Sequence, residues 1–252
     1  MNIQWNSNDY TDNFNFVYKY GEDVLALIDA PEGSLAVDLG CGNGALTKKL
    51  ADRGYKVIGI DASDDMLEKA AQTNPDITFI RGDATNFTLD KKADVIFSNA
   101  VFHWIDADKQ EQLIKNIASN LKQGGQLVFE FGGKGCAEAV HSALEKIFAQ
   151  KGLEYQRAFY FPTIGEYAPI LEKYGFKVEF AVLFDRPTIQ QSENGLADWI
   201  KMFDKKPFEG LKPDLCDEII SSAENALKPK LFVDGKWVVD YVRIRMKAKK
   251  IF

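Results

Sequence analysis

Histidine, cysteine and clustered cations are all scarce in this chain of 252 residues. Two histidines, His103 and His141, leave little material for a histidine-rich metal centre. Three widely spaced cysteines, Cys41, Cys136 and Cys216, suggest neither a disulfide framework nor a zinc site, and they suit a reducing compartment. Lys plus Arg is 31 against 37 for Asp plus Glu, a net charge of -6. The one basic run, Lys247-Ala248-Lys249-Lys250, stands at the C-terminal end. A nucleic-acid footprint groups many cations on one face, so no nucleic-acid partner is expected. No stretch approaches the ~18 apolar residues that a membrane span needs. The opening Met1-Asn2-Ile3-Gln4-Trp5-Asn6-Ser7 has neither a cationic region nor an apolar core, so no secretory leader is expected and the location is read as cytoplasmic. Repeats, low-complexity tracts and Gly/Ser linkers are lacking too, so residues 1–252 are read as a single domain.

What is present is more specific. The run Val37-Asp38-Leu39 breaks into Gly40-Cys41-Gly42-Asn43-Gly44, and a helical pattern follows. Glycine is required where the backbone turns with positive φ, or where no Cβ can stand between main chain and ligand. A second apolar run, 56–60, ends on Asp61. This is the layout of a nucleoside-binding βαβ unit, with the acid placed to accept hydrogen bonds from ribose hydroxyls. Cys41, between two glycines, is read as a small residue that packs at a tight turn rather than as a nucleophile.

Strands are expected at 35–39, 56–60, 77–80, 94–98 and 126–131, with helices at about 44–53, 63–72 and 108–122. Short Val-, Ile- and Phe-rich runs between helix-period stretches argue for a parallel sheet covered on both faces. Gly124-Gly125 is read as the stop of the last of these helices. Residues 1–33 are read as a helical N-terminal segment carrying Trp5, Tyr10, Phe14, Phe16, Tyr18 and Tyr20. Further on, 163–174 reads as helix. The runs 176–184 and 237–246 read as strands able to pair antiparallel, with a helical stretch at 193–228 broken near Pro207 and Pro213. The expected fold is α/β, a doubly wound, mostly parallel sheet with an antiparallel C-terminal hairpin and a helical insert.

With these motifs, residues 35–132 resemble the class I S-adenosylmethionine-dependent methyltransferases, whose sheet has seven strands. The resemblance implies S-adenosylmethionine as cofactor. It divides the chain into an N-terminal cap (1–33), a cofactor-binding core (34–132) and an insert over the acceptor site (185–230). It implies that the loop of Asp38, Gly40, Cys41, Gly42, Asn43 and Gly44 wraps the methionine end. Asp61, followed by Ala62 and Met66, then binds the ribose. Asp83 and Ala84, in Gly82-Asp83-Ala84, face adenine. Asn99 and Ala100 lie beside the sulfonium, with Phe102, His103 and Trp104 toward the acceptor. The G-x-G-x-G spacing differs from the G-x-G-x-x-G common at pyrophosphate sites, and an acid in the loop suits a cofactor without phosphate.

DNA and RNA amino-methyltransferases of this fold carry an Asp/Asn-Pro-Pro-aromatic run where this chain has Asn99-Ala100-Val101-Phe102. A closer resemblance is to trans-aconitate methyltransferase-like enzymes and malonyl-carrier-protein O-methyltransferases. It rests on Trp5-Asn6, Tyr10, Asn99-Ala100 with His103-Trp104, Phe161-Pro162-Thr163 through Tyr167, Leu183-Phe184-Asp185-Arg186-Pro187 and Trp199 through Phe203. It implies a small-molecule acceptor, methylated at a carboxylate oxygen, free or bound to a carrier protein. A carboxylate, with a pKa of about 4, needs no base, so His103 is a candidate base but more simply a wall of the pocket. Arg186 and Arg157 are the candidate carboxylate partners. Tyr10, Tyr18, Trp199, Phe203, Phe208, Tyr160 and Phe161 are candidate pocket aromatics. The rival readings are a nicotinamide-dependent oxidoreductase, for which no Tyr-x-x-x-Lys pair lies near the cofactor strands, and a non-catalytic cofactor-binding module.

Overall fold

The computed structural model describes residues 16–192 and 194–252. Its main sheet has seven strands: β1 (Leu35–Leu39), β2 (Lys56–Asp61), β3 (Thr78–Arg81), β4 (Ala93–Asn99), β5 (Leu121–Gly132), β6 (Phe176–Asp185) and β10 (Val242–Lys250). Their order is β3-β2-β1-β4-β5-β10-β6. The first five run parallel, and β10 is antiparallel to both of its neighbours.

Both faces of the sheet are covered, and the parallel strands alternate accordingly. Ala36, Val95, Phe97 and Val128 meet Val24 and Leu25 of α1 (Phe16–Leu25) and Leu46 and Leu50 of α2 (Ala45–Asp52). Their strand neighbours Val37, Leu39, Ile96, Leu127 and Phe129 turn to the opposite face. There they pack with Leu113, Ile114 and Ile117 of α4 (Gln110–Asn120) and Tyr167 and Leu171 of α6 (Ile164–Lys173). A strand buried on both sides reads as an unbroken apolar run, which is why these strands were legible. Between β2 and β3, α3 (Asp64–Thr73) starts on Ser63, whose hydroxyl accepts from the Met66 N–H, with Asp64 and Asp65 in its first turn.

Three expectations are corrected. The stretch 237–246 is two strands, not one: β9 (Lys236–Val239) belongs to a small sheet, β7 (Thr188–Ile189), β9, β8 (Phe232–Val233), and only β10 joins the main sheet. The break falls at Asp240, which is pinned to the start of α5 (Glu138–Gln150). Its carboxylate accepts from the Ala139 N–H and its carbonyl from the Ala137 N–H, both at 2.9 Å. Helix α5 itself was not anticipated. Finally, α4 stops at Asn120, and Gly124-Gly125 lie within β5 where its register with β4 shifts; Gly124 has a φ of 78°.

The helical stretch divides at its prolines, as its sequence indicates. Helix α7 (Leu196–Phe203) ends before Pro207, and α8 (Pro213–Leu231) begins on a proline, which has no N–H to leave unpaired at that position. These two helices pack with α5 in a second apolar core that includes Trp104, Leu144, Phe148, Trp199, Ile220 and Tyr241. Expectations for Trp5, Tyr10 and Phe14 lie outside the described residues, as do the side chains of Phe16, Tyr18 and Tyr20. No described helix is long and apolar enough to cross a membrane.

Candidate active site

The carboxyl ends of β1, β2 and β4 open on one edge of the sheet, where the strand order reverses between β1 and β4. Ligands of open α/β sheets bind at such a crevice. A cleft of about 1020 Å³, counted to its open mouth, lies there. Gly40, Gly42, Asp61, Ala62, Met66, Asp83, Ala84, Asn99 and Ala100 line it as the sequence indicated.

Local chemistry fixes these groups. Asp61 ends β2 with its carboxylate accepting from the Gly42 N–H and the Ser63 N–H, each at 2.9 Å. Burial pushes its pKa up, against the pull of these backbone donors. A carboxylate has about four lone-pair directions, so two remain for a ligand. The Thr85 N–H and hydroxyl both donate to Oδ1 of Asp83, at 2.8 and 2.7 Å. Partial burial raises this acid, but the Thr85 bonds outweigh it and hold the pKa below the usual value. Gly42, at a φ of 52°, lines the cleft, and a Cβ placed on it would meet no atom of the described residues within 4 Å. Ala100 also has positive φ, 61°, and its N–H donates to the Glu130 carbonyl at 2.7 Å.

The rest of the glycine loop serves the fold. Asp38, Cys41, Asn43 and Gly44, expected at the cofactor, do not line the cleft. Asp38 is buried and accepts from the Thr47 hydroxyl at 2.7 Å. Burial raises it to about 7, the Thr47 bond opposing and the Asp61 charge adding. Cys41 packs under the loop, and burial drives its thiol far above the range of a nucleophile. Asn43 accepts from the Ala45 N–H, and Gly44 is the N-cap of α2. The wall also includes Gly82, Thr85, Val101, Trp104 and the pair Asp106 and Lys109, most of them not singled out in the sequence.

A second pocket, about 450 Å³ to its mouth, shares Ala100 and Trp104 with the cleft and therefore adjoins it. Its other walls are His103, Cys136, Phe159, Phe161, Trp199, Phe203, Tyr241 and Arg243. Phe159 and Phe161 stack at 5.2 Å, and the Trp199 indole N–H donates to the Tyr241 hydroxyl at 2.5 Å. The Gly132 N–H donates to Nδ1 of His103 at 3.3 Å. Burial, with Arg243 adding, holds this imidazole well below its ordinary pKa.

Of the expected acceptor residues, His103, Trp104, Trp199, Phe161 and Phe203 meet here. Phe102 is a correction: its ring is buried against Phe129 and Phe131 in the main core. Tyr160 packs on that core too, and Phe208 sits edge-on to Phe148. The two expected arginines are corrections as well, since neither lines the pocket and both are engaged by carboxylates. Arg157 forms a bidentate pair with Glu138, at 2.7 Å for each bond. Arg186 binds both oxygens of Glu130, which also accepts from Arg245 at 2.7 Å. The cation among the described lining residues is Arg243, for which 237–246, as one uninterrupted strand, gives no signal. Phe159, Tyr241 and Cys136 were missed for lack of any local signal.

Comparison with known proteins agrees with this geometry. Residues 36–125 match the family model described as a methyltransferase domain. An uncharacterized methyltransferase of Schizosaccharomyces pombe is 30% identical over 258 residues, covering 98% of each chain. A trans-aconitate 2-methyltransferase of Variovorax paradoxus is 28% identical, over 91% of this chain and 92% of its own. Among solved structures, a phosphoethanolamine N-methyltransferase of Haemonchus contortus, in complex with phosphomonomethylethanolamine and S-adenosylhomocysteine, superposes with a TM-score of 0.61. It is 18% identical and covers 97% of this chain and 56% of that one. Fold and site together define a methyltransferase. The chain belongs to the class I S-adenosylmethionine-dependent methyltransferases, and its cofactor is S-adenosylmethionine. The cleft fits that cofactor: the open space over Gly42 admits a ligand, and two carboxylates suit hydroxyl and amino donors while repelling phosphate.

Proposed function

We propose that this methyltransferase acts on a small-molecule acid, at a carboxylate oxygen, in the aromatic pocket beside the cofactor cleft. Asp61 holds the ribose hydroxyls and Asp83 the adenine amino group, while Gly42 lets the methionine portion approach the main chain. The segment 185–230 supplies Trp199 and Phe203 to the acceptor pocket.

One observation carries the choice of carboxylate: the described pocket holds no group placed to take a proton. His103 spends Nδ1 on the Gly132 N–H, so its neutral ring carries hydrogen on Nε2 and is a donor there. Burial holds the Cys136 thiol protonated. The Tyr241 hydroxyl is bonded by Trp199. An acceptor in such a pocket must arrive with its nucleophilic lone pair already free of a proton, and at neutral pH a carboxylate does, while an alkylamine is mostly protonated and a phenol mostly un-ionised.

The cofactor supplies a methyl group already activated by its sulfonium. The acceptor oxygen forms the O–CH3 bond with its own lone pair as the S–CH3 bond breaks, its pair remaining on sulfur, and no proton moves. The protein's part is alignment and exclusion of water, which the apolar walls provide. The relative named for trans-aconitate supports a carboxylic acid as the acceptor, whatever its number of carboxylates.

The test is turnover with methyl-labelled S-adenosylmethionine across carboxylic acids, amines and phenols. Label should appear in a base-labile methyl ester. Transfer to amines or phenols alone, at a rate that climbs with pH toward their pKa values, would sink the reading.

A further inference from the structure

Arg243 is 9% exposed and lines the aromatic pocket. It is the first cation of a row on one face of β10, and the two other buried or half-buried cations of that row are matched by acids, while Lys249 at its end is exposed. Arg245 donates to Glu130, and Lys247 lies 2.8 Å from Asp29. Among the described residues no carboxylate lies within ion-pairing distance of Arg243, and its guanidinium rests on the Tyr241 ring, 4.6 Å from the centroid. A charge removed from water without a partner is costly, so a nine-tenths-buried guanidinium facing a cavity marks where an anion binds.

We infer that Arg243 anchors the acceptor's carboxylate, with the His103 Nε2–H as second donor, and that the acceptor is a singly charged acid with a flat, aromatic body. This rests on the aromatic pocket being the acceptor site. The fork of the guanidinium matches a carboxylate edge. Beyond Arg243 and His103 the described walls are Ala100, Cys136, Tyr241 and the rings of Trp104, Phe159, Phe161, Trp199 and Phe203, which offer ring faces to stack on and, among the described residues, no second cation. A second carboxylate would be stranded among those rings, so dianions are excluded by the same cost that draws in a monoanion.

The experiment is acceptor binding to the full chain saturated with S-adenosylhomocysteine, by calorimetry and tryptophan fluorescence. The probes are benzoate, phenylacetate and 3-phenylpropanoate, their primary amides, and the dianions phthalate and succinate. At least one aryl acid should bind about 100-fold more tightly than its amide and than either dianion. Arg243→Met should erase the acid-over-amide preference, Arg243→Lys should keep part of it, and S-adenosylhomocysteine affinity should hold in both. The inference is overturned by tighter binding of a dianion, by no binding of any aryl acid, or by an unchanged acid preference in Arg243→Met. Should Arg243→Met not fold, the acid-to-amide ratio in Arg243→Lys and in the unaltered protein decides. Arg243-dependent binding without ester formation would refute the proposed reaction and leave this inference standing. Ester formation undiminished in Arg243→Met would do the reverse.

Discussion

The backbone N–H of Gly132 points at Nδ1 of His103 across 3.3 Å, so a strand end of the main sheet fixes the tautomer of a pocket histidine. Strand β5 thereby turns the ring's other nitrogen into a donor. Burial and the Arg243 charge keep the ring neutral. The rate with an ionised acceptor should therefore show no His103 titration between about pH 6 and 8. His103→Gln should weaken acceptor binding by roughly tenfold, one charge-assisted bond, and leave the shape of the pH profile unchanged. An ascending limb near the ordinary imidazole value that vanishes in His103→Gln would instead make this residue the base.

A second histidine lies in a buried chain that touches the pocket from behind. The Tyr155 hydroxyl donates to Asp204 at 2.5 Å and stands 2.6 Å from Nδ1 of His141, whose ring meets Trp199 edge-on. Burial raises Asp204 from 3.8 to about 6. Its folded pKa exceeds the unfolded one, so its contribution to stability is fully present below 3.8 and lost as pH rises through about 6. His141 behaves oppositely. Burial lowers it to about 4, so stability is lost as pH falls from 6.5 toward 4.

The two effects oppose each other in the native protein, and Asp204→Asn separates them. The amide oxygen keeps an acceptor for Tyr155 but does not titrate. Relative to the unaltered protein the variant should gain on the order of 3 kcal/mol between about pH 4 and pH 8, from the rise from 3.8 to about 6 at about 1.36 kcal/mol per pH unit. Below about pH 6 it should lose stability more steeply, with the histidines unopposed. Urea denaturation across that range reads both, and a pH-independent difference would refute the buried charge.

Two glycines of the loop carry different duties. A Cβ on Gly40 would stand 2.2 Å from the Val101 side chain, at a φ of 79°. Gly40→Ala should destabilise by about 3 kcal/mol through overpacking and backbone strain together. A Cβ on Gly42 would meet only the open cleft. Gly42→Ala should cost about 1 kcal/mol of stability for its positive φ, yet weaken S-adenosylhomocysteine binding by about tenfold or more as the methyl displaces the ligand. Melting temperature against calorimetric affinity separates the two; equal effects on both would argue against these assignments.

The sequence made the donor side legible because each of its parts is local: a strand, a turn that needs glycine, an acid at the next strand's end. Gly42, Asp61 and Asp83 each announce themselves within a few residues. Even there, spacing cannot tell a residue that faces the cleft from one buried beneath it, and Asp38 and Cys41 lie beneath. The acceptor side is assembled from segments far apart in the chain: Phe159 from the loop before α6, Trp199 from α7, Arg243 from β10. No local pattern marks such a meeting. Arg157 and Arg186 were plausible by type, but their partners Glu138 and Glu130 are fixed only by the tertiary fold.

Glu130 shows how that fold holds both sites at once. Its side chain is 3% exposed and accepts from Arg186 and Arg245, while its carbonyl accepts the Ala100 N–H at the boundary between cleft and pocket. Removing the anion leaves two largely buried guanidinium groups without it, a loss in the class of about 3 kcal/mol or more. At the size of this chain that is a fall of about 10 °C in melting temperature for Glu130→Gln. A hydrogen-bonded surface pair would cost under about 1 kcal/mol, so the two cases are well separated. The double variant Glu130→Gln, Arg186→Met should be less destabilised than the sum of its parts, because the second change removes one of the two cations that Glu130 balances. Strict additivity in that cycle would mean that the charges do not depend on one another, and that the strand hydrogen bonds alone hold Ala100 in place.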